Sequence, residues 1–157
     1  MAIDVQTVLN TFDSSLFLPE LTAKNKRAAL SEMVKLVSES GIVRDPNLLS
    51  EMLHSRESLG STGIGNGIAV PHGRSLAIPK LVAAFARHPK GVKWEAIDGK
   101  PVHFIFLVMA PPVEQSSRYL PFLGRIVESV SSEARRKKLL KITNFEEFQE
   151  YMRDALA

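Results

Sequence analysis

The chain contains no cysteine among its 157 residues. This absence excludes disulfide-stapled scaffolds, zinc sites built from thiolates and catalysis by a thiol nucleophile. A chain without cysteine suits a reducing compartment, so we expect a cytoplasmic protein.

Long apolar segments are missing as well. No hydrophobic run approaches the roughly 20 residues of a membrane-spanning helix, and the N-terminus lacks the basic region and apolar core of a signal peptide. We therefore expect no direct membrane insertion. Hydrophobic residues make up 45% of the chain and charged residues 24%, as in globular proteins. With no repeat, low-complexity segment or linker, the sequence predicts one domain over residues 1–157.

The excess of positive charge is small, with a net charge of +3. Much of it lies in the basic run 135–138 and in Lys141, which we interpret as the solvated face of a helix. Docking of an acidic partner or a nucleic acid is the alternative. The run has no interleaved aromatic residues and no recognisable motif, so we expect no nucleic-acid partner.

The hydrophobic pattern predicts helices near both ends of the chain and strands between them. The predicted helices cover residues 2–10, about 22–41, 46–59, a segment after the prolines 111 and 112, about 132–141, and a last segment from 144. The predicted strands cover residues 15–18, 68–70, 81–86 and 102–109. Because the run 102–109 is almost continuously apolar, it is typical of a central strand covered on both faces. This order of elements predicts a helix–sheet–helix sandwich.

Three helix starts have recognisable caps. Asp45 followed by Pro46 is typical of an N-cap with proline in the first turn. Ser116 or Ser117 is the candidate cap of the helix after the prolines. Asn144 with Glu147 predicts a capping box for the last helix.

The most informative stretch is the glycine-rich run from Gly60 to Arg74. Glycines allow backbone N–H groups to crowd around an anion, and the candidate anion cradle consists of Ser61, Thr62, Gly63, Gly65, Asn66, Gly67 and Gly73. The run does not match the dinucleotide-binding fingerprint, because the third glycine of that motif is replaced by Ile68. It does not match the P-loop either, because Gly65 is followed by Asn66 and not by the lysine that this motif requires. The alternative interpretation is a flexible turn that is rich in glycine.

His72 ends the strand that follows this loop. Imidazole is a nucleophile that is available in its neutral form near pH 7, and a backbone carbonyl could fix one ring nitrogen while the other attacks phosphorus. Arg56 and Arg74 are candidate phosphate ligands because a guanidinium donates two parallel hydrogen bonds. A structural histidine and two ordinary surface arginines are the alternative interpretation.

The remaining histidines predict no second site. His54 and Glu57 could share a helix face, but no third ligand follows at a matching distance, so chance explains the pair better than a metal site. We expect His103 to be a hydrogen-bonded residue of the buried strand and His88 to be a surface residue.

Several of these motifs occur together in one known family. The motifs are Arg56-Glu57, the run 61–73, residues 96–99 with Pro101-Val102, and the strand end Ala110-Pro111. In content and order they resemble the enzyme IIA domain of the fructose/mannitol class of the bacterial phosphotransferase system. The run 61–73 is most similar to that of the nitrogen-regulatory branch.

This resemblance implies an α/β fold in which a mixed β-sheet is flanked by helices on both faces. It implies that His72 accepts a phosphoryl group through Nε2 from a phosphorylated HPr-like or NPr-like carrier, and that Arg56 supports the phosphohistidine. Many family members have a second histidine where this chain has Tyr119. A tyrosine donates a hydrogen bond but is not readily charged at neutral pH, which puts a two-histidine mechanism in doubt.

We therefore predict a phosphocarrier of the phosphotransferase system with a phosphohistidine intermediate and a regulatory, nitrogen-type role. It should need no metal and no organic cofactor. Its partners would be the carrier and a regulatory target protein. The main alternative is a sugar-specific IIA that passes phosphate to a IIB domain, and a weaker one is a binding module whose histidine is never phosphorylated.

Overall fold

The computed structural model describes residues 3–114 and 117–157 of the chain. Its helices are α1 (Val5–Thr11), α2 (Lys26–Glu39), α3 (Pro46–Ser58), α4 (Tyr119–Ser129), α5 (Glu133–Leu139) and α6 (Phe145–Leu156). Its strands are β1 (Phe17–Leu18), β2 (Gly63–Gly65), β3 (Ile68–Ala69), β4 (His72–Arg74), β5 (Val82–Val92) and β6 (Val102–Ala110). A short 3-10 turn, Ser14–Leu16, precedes β1, so the strand predicted over 15–18 is confirmed only in its second half.

The strands form one mixed sheet in the order β1-β5-β6-β3-β2, and β4 also pairs with β6. Strand β6 runs antiparallel to β5 and parallel to both β3 and β4. The mixed sheet implied by the resemblance is thus confirmed. Because β3 and β4 pair with successive parts of β6, residues 68–74 form a broken strand whose second part begins at His72.

Strand β6 lies at the centre of the protein and is covered on both faces. Ile105 and Leu107 belong to the apolar cluster that includes α2 and α3. Phe104 and Phe106 belong to the second cluster, which includes α1, α4, α5 and α6. Successive side chains of a strand point to opposite faces, so this alternation confirms the predicted α/β/α sandwich.

Two of the predicted helix caps are present. Asp45 accepts hydrogen bonds from first-turn amides of α3, which begins with Pro46. Asn144 accepts from the Glu147 amide at 2.8 Å. The Glu147 carboxylate reaches the amide of Thr143 at 2.9 Å, so its half of the capping box is shifted by one residue from the prediction.

Helix α4 starts differently from the prediction. Its N-cap residue is Arg118, which makes no capping bond with its side chain. Ser117 has a φ angle of 55°, whereas a capping residue normally has extended backbone. The prediction of Ser117 as the cap is therefore wrong, and Ser116 lies outside the described residues.

Strand β5 is longer than predicted, since it continues to Val92. Its register against β6 shifts in its second half, where Pro89 and Gly91 interrupt a regular ladder of hydrogen bonds. His88 was predicted to be an ordinary surface residue, but its Nε2 lies 2.8 Å from the carbonyl oxygen of Ala23. Across residues 3–114 and 117–157, no helix is long and apolar enough to cross a membrane.

Candidate active site

His72 is the first residue of β4, and its side chain is half-buried. Its Nδ1 atom lies 2.7 Å from the carbonyl oxygen of Val70. Since a carbonyl oxygen only accepts hydrogen bonds, this contact places the proton of the neutral ring on Nδ1. The lone pair is then on Nε2, and the ring is oriented to react through that nitrogen.

The register of β4 against β6 divides the β4 side chains between the two faces of the sheet. His72 pairs with Val108 and Arg74 pairs with Ala110, and both partners belong to the apolar cluster that includes α4. Gly73 lies between them and faces the opposite side, toward α3. His72 and Arg74 therefore point to the same side of the sheet, because side chains alternate along a strand.

Tyr119, at the start of α4, lies beside this pair. Its ring centroid is 6.5 Å from that of His72, and the guanidinium carbon of Arg74 is 4.5 Å from the Tyr119 centroid. Burial raises the pKa of the Tyr119 hydroxyl, while the positive charges of Arg74 and Arg56 oppose that shift. The tyrosine is thus a neutral aromatic surface next to His72.

Arg56 approaches the site from α3. This helix packs closely on β4 because Gly73 has no side chain, and a Cβ atom there would overlap the sulfur of Met52. Arg56 follows Met52 by four residues, so the two share one face of α3. Its Nη1 donates to the carbonyl oxygen of Gly60 at 3.0 Å. The positive charge of Arg56 also opposes the rise in the pKa of the Tyr119 hydroxyl, which links the end of α3 electrostatically to the surroundings of His72.

Within residues 3–114 and 117–157, neither Arg56 nor Arg74 forms an ion pair with a carboxylate. Each donates to a backbone carbonyl instead, Arg56 to Gly60 and Arg74 to Pro111 at 3.3 Å. Among the described residues, neither guanidinium group is therefore paired with a negative charge. Since arginine suits phosphate geometry, this arrangement can hold a small anion beside His72.

Glu57 fixes the start of the glycine-rich run. Its buried carboxylate accepts from the amide of Thr62 at 2.9 Å and from the Thr62 hydroxyl at 2.6 Å, and the Nζ atom of Lys26 lies 3.5 Å away. The Thr62 carbonyl accepts from the Val70 amide at 3.0 Å. The start of the run is thereby held beside the strand that leads to His72.

This role of Glu57 was missed in the sequence, where it was considered only as a chance partner of His54. The feature of the sequence that could have indicated this role is the position of Glu57 directly after Arg56, in the Arg56-Glu57 motif that carries part of the family resemblance. In the described parts of the chain, no group of three or more histidine, aspartate or glutamate side chains could hold a metal ion.

The second half of the glycine-rich run lies away from His72. The turn between β2 and β3 consists of Gly65, Asn66 and Gly67, with φ angles of 95°, 58° and 79°. The Asn66 amide donates to the Asp98 carboxylate at 3.0 Å. Ile68 pairs with residue 104 of β6 and His72 with residue 108, so the turn lies at least about 13 Å from His72 along the sheet. We correct the prediction accordingly, because these three residues form a hairpin turn and not part of a cradle.

The first half of the run is occupied by local contacts. The Ser61 hydroxyl accepts from the Gly63 amide at 3.1 Å, and the Thr62 amide is bonded to Glu57. A Cβ atom on Gly63 would lie 2.7 Å from the Cβ of Ala96, so this glycine permits close packing of β2. The groups that remain available to an anion are therefore chiefly the arginine side chains and not the predicted loop amides.

We expect the Gly63→Ala variant to be destabilised by about 2 kcal/mol, because the added methyl group overlaps residue 96. Urea denaturation measures the free energy of unfolding. The matched control is Gly124→Ala in α4, where no atom lies within 4 Å of the added Cβ and alanine should stabilise the helix by about 0.5–1 kcal/mol. Equal stability of the two variants would show that packing does not require Gly63.

Comparison with known proteins gives a consistent result. Residues 10–155 match the family described as "Phosphoenolpyruvate-dependent sugar phosphotransferase system, EIIA 2". The chain is 34% identical over 123 residues to a nitrogen regulatory protein of Bradyrhizobium diazoefficiens, with 78% of each chain covered. It is also 34% identical over 121 residues to the fructose-specific EIIABC component of Bacillus subtilis, which covers 77% of this chain but only 19% of that protein.

The fold agrees with the sequence match. The solved structure of the nitrogen regulatory protein IIA-Ntr from Neisseria meningitidis is similar with a TM-score of 0.83 and 28% identity, covering 93% of this chain and 99% of that one. Both likenesses extend over most of the chain and include the segment around His72. The chain belongs to the EIIA type 2 family of the phosphoenolpyruvate-dependent sugar phosphotransferase system and is a phosphotransfer component of that system.

Proposed function

We propose that this protein is a regulatory phosphocarrier that accepts a phosphoryl group on Nε2 of His72 from a phosphorylated HPr-like carrier. The observation that carries the proposal is the 2.7 Å contact between Nδ1 and the Val70 carbonyl. This contact fixes both the tautomer and the orientation of the ring, so that Nε2 is always the nitrogen available to the phosphorylated carrier. Phosphoryl transfer depends mainly on positioning and on charge stabilisation, and this contact supplies the positioning.

The transfer exchanges one N–P bond for another. The lone pair of His72 Nε2 attacks the phosphorus of the donor's phosphohistidine as the donor's N–P bond breaks, and that bond's electron pair returns to the donor imidazole. No proton has to leave His72 during the step, because Nδ1 keeps its proton on the Val70 carbonyl. The neutral ring can therefore act as the nucleophile without a general base.

Arg56 supplies the charge stabilisation. A phosphoryl group brings about 1.5 to 2 negative charges if it behaves as on other side chains. Arg56 is half-buried, donates to the Gly60 carbonyl and has no carboxylate partner among the described residues, so it can turn toward the new anion without breaking an ion pair. It lies one turn beyond Met52, which packs against Gly73 next to His72.

The surroundings of the site suit the docking of a small protein. Three leucines close in sequence to the site residues are strongly exposed, namely Leu59 at 85%, Leu76 at 73% and Leu120 at 69%. Exposed apolar side chains around a charged centre are typical of protein interaction sites. We infer that the carrier docks here through an apolar patch around its own phosphohistidine, with the modest contact area of a transient complex.

Replacing Leu76 with aspartate should raise the KM for the phosphorylated carrier about tenfold with little change in kcat, because it places a charge in an apolar contact. Initial rates of label transfer at several carrier concentrations give both constants. The control is Ile97→Asp, since Ile97 is 79% exposed but adjoins Gly65 in the distant hairpin. The same KM in both variants would remove Leu76 from the docking surface.

A sugar-specific role is the second candidate function. The Bacillus subtilis relative is named as a fructose-specific component, and such a IIA would pass its phosphoryl group to a IIB domain. Tyr119 in place of the second histidine of many family members favours the regulatory role. Deletion of the gene should leave fructose and mannitol uptake unchanged if that role is correct, whereas lost uptake of either sugar would support the alternative.

The direct test combines the purified protein with phosphoenolpyruvate, enzyme I and an HPr-like carrier. We expect an acid-labile label in the tryptic peptide 57–74, which contains His72 as its one histidine. Phosphorus NMR should then assign the phosphoryl group to Nε2. Label on another residue, or no label while the carrier itself is phosphorylated, would refute the proposal.

A further inference from the structure

We propose that Arg74 is a second phosphate-binding residue at His72, and that the ring of Tyr119 is the positioning group that holds it there. This inference rests on the proposed function, because it assigns a further group to the same phosphohistidine. It concerns a residue pair on the face of the sheet that packs against α4, whereas Arg56 comes from α3.

The geometry of β4 brings Arg74 to the reacting nitrogen. His72 and Arg74 are two residues apart on one strand, so their side chains share a face with Cα atoms about 7 Å apart. The pairing of both residues with β6 fixes this relation. An arginine side chain easily spans that distance, so its guanidinium can reach a phosphoryl group on Nε2.

Arg74 is also free to change partners. In the described parts of the chain its side chain forms no ion pair, and its guanidinium donates to the carbonyl oxygen of Pro111 at 3.3 Å. A long bond to a neutral carbonyl is weaker than a charge-assisted bond to a phosphate oxygen. Phosphorylation of His72 would therefore replace the first contact with the second at little cost.

Tyr119 limits where the guanidinium can go. The Arg74 guanidinium carbon lies 4.5 Å from the Tyr119 ring centroid, within the range of a cation–π interaction. The Tyr119 side chain is only 7% exposed, so the ring is a fixed surface and not a mobile one. The aromatic face, and not the hydroxyl, is the part of Tyr119 that this role requires.

The expected consequence is a shift in the phosphoryl equilibrium between the carrier and this protein. Arg74 stabilises the phosphorylated form and has no comparable anion to bind in the unphosphorylated form. The Arg74→Ala variant should therefore lower the equilibrium constant for transfer from the carrier about tenfold, the effect expected for loss of a charge-assisted hydrogen bond.

The experiment measures that equilibrium constant with purified phosphorylated carrier after enzyme I has been removed. The matched control is Arg153→Ala, which removes an exposed guanidinium from α6 and should change the constant less than twofold. If the wild type takes up no label, the proposed function itself fails. If the wild type is labelled and Arg74→Ala behaves like Arg153→Ala, only the present inference fails.

Variants of Tyr119 test how Arg74 is held. Tyr119→Phe keeps the aromatic face and should lower the constant much less than Tyr119→Leu, which keeps most of the volume but loses the ring and should lower the constant as Arg74→Ala does. The double variant Arg74→Ala/Tyr119→Leu should be no lower than Arg74→Ala alone, since the two residues act as one unit. A loss in Tyr119→Phe as large as in Tyr119→Leu would overturn the positioning role of the ring.

Discussion

Replacing His72 with alanine should reduce phosphoryl transfer to this protein by a factor on the order of 10³ or more. The variant keeps both arginines and the exposed leucines but has no nucleophile in the site. Tyr119 is a poor substitute because burial raises the pKa of its hydroxyl. The measurement is the amount of acid-labile label per protein after incubation with phosphoenolpyruvate, enzyme I and the carrier.

The matched control is His54→Ala. His54 lies on α3 in a small surface cleft with Lys26 and Arg27, and its removal should leave labelling unchanged. Binding of the phosphorylated carrier to His72→Ala should persist, which separates lost chemistry from lost docking. If His72→Ala is labelled to the same extent as the wild type, the phosphoryl acceptor is another residue.

The second large effect is expected on stability. Replacing Glu57 with alanine should lower the free energy of unfolding by about 3 kcal/mol, because it leaves two buried donors of Thr62 without an acceptor and removes the carboxylate beside Lys26. Urea denaturation measures this loss. Under native conditions, transfer to His72 should also slow, since the segment that Glu57 holds lies next to the strand leading to that residue.

Two variants show whether the buried contacts are responsible. Glu57→Gln keeps one side-chain oxygen as an acceptor and should lose only about 1 kcal/mol. Glu51→Ala removes an exposed carboxylate from the same helix and should change the free energy of unfolding by no more than about 0.5 kcal/mol. A Glu57→Ala variant as stable as Glu51→Ala would rule out a structural role for the carboxylate.

The framework of the fold could be predicted because its causes are local. The apolar run over β6 indicated burial on both faces, and the caps at Asp45 and Asn144 depend on a side chain that bonds to its own helix. The start of α4 was not predictable in this way. Arg118 caps that helix without a side-chain bond, so no residue type in the sequence signals the boundary.

The site could be predicted only in part. The sequence indicates His72 and Arg56 as candidate site residues, and that assignment stays a prediction, but the glycines of one run serve different purposes that composition does not separate. Residue type alone does not distinguish a glycine that binds an anion from one that forms a hairpin turn, such as Gly67, or from one that allows close packing of a neighbouring helix, such as Gly73. The contact between Glu57 and Thr62 depends on how the chain turns after α3, which only the folded structure shows.

The pairing of β4 has a consequence for how this protein meets others. Strand β2 pairs with β3 and not with β4, so β4, which begins at His72, has one edge that pairs with no described strand. Exposed edge strands readily pair with strands of other chains. Here the edge strand is only three residues long and follows Pro71, which has no N–H to donate. The proposed phosphoryl acceptor is therefore exposed where a visiting chain finds few unpaired backbone groups, so that partners could bind and leave in succession.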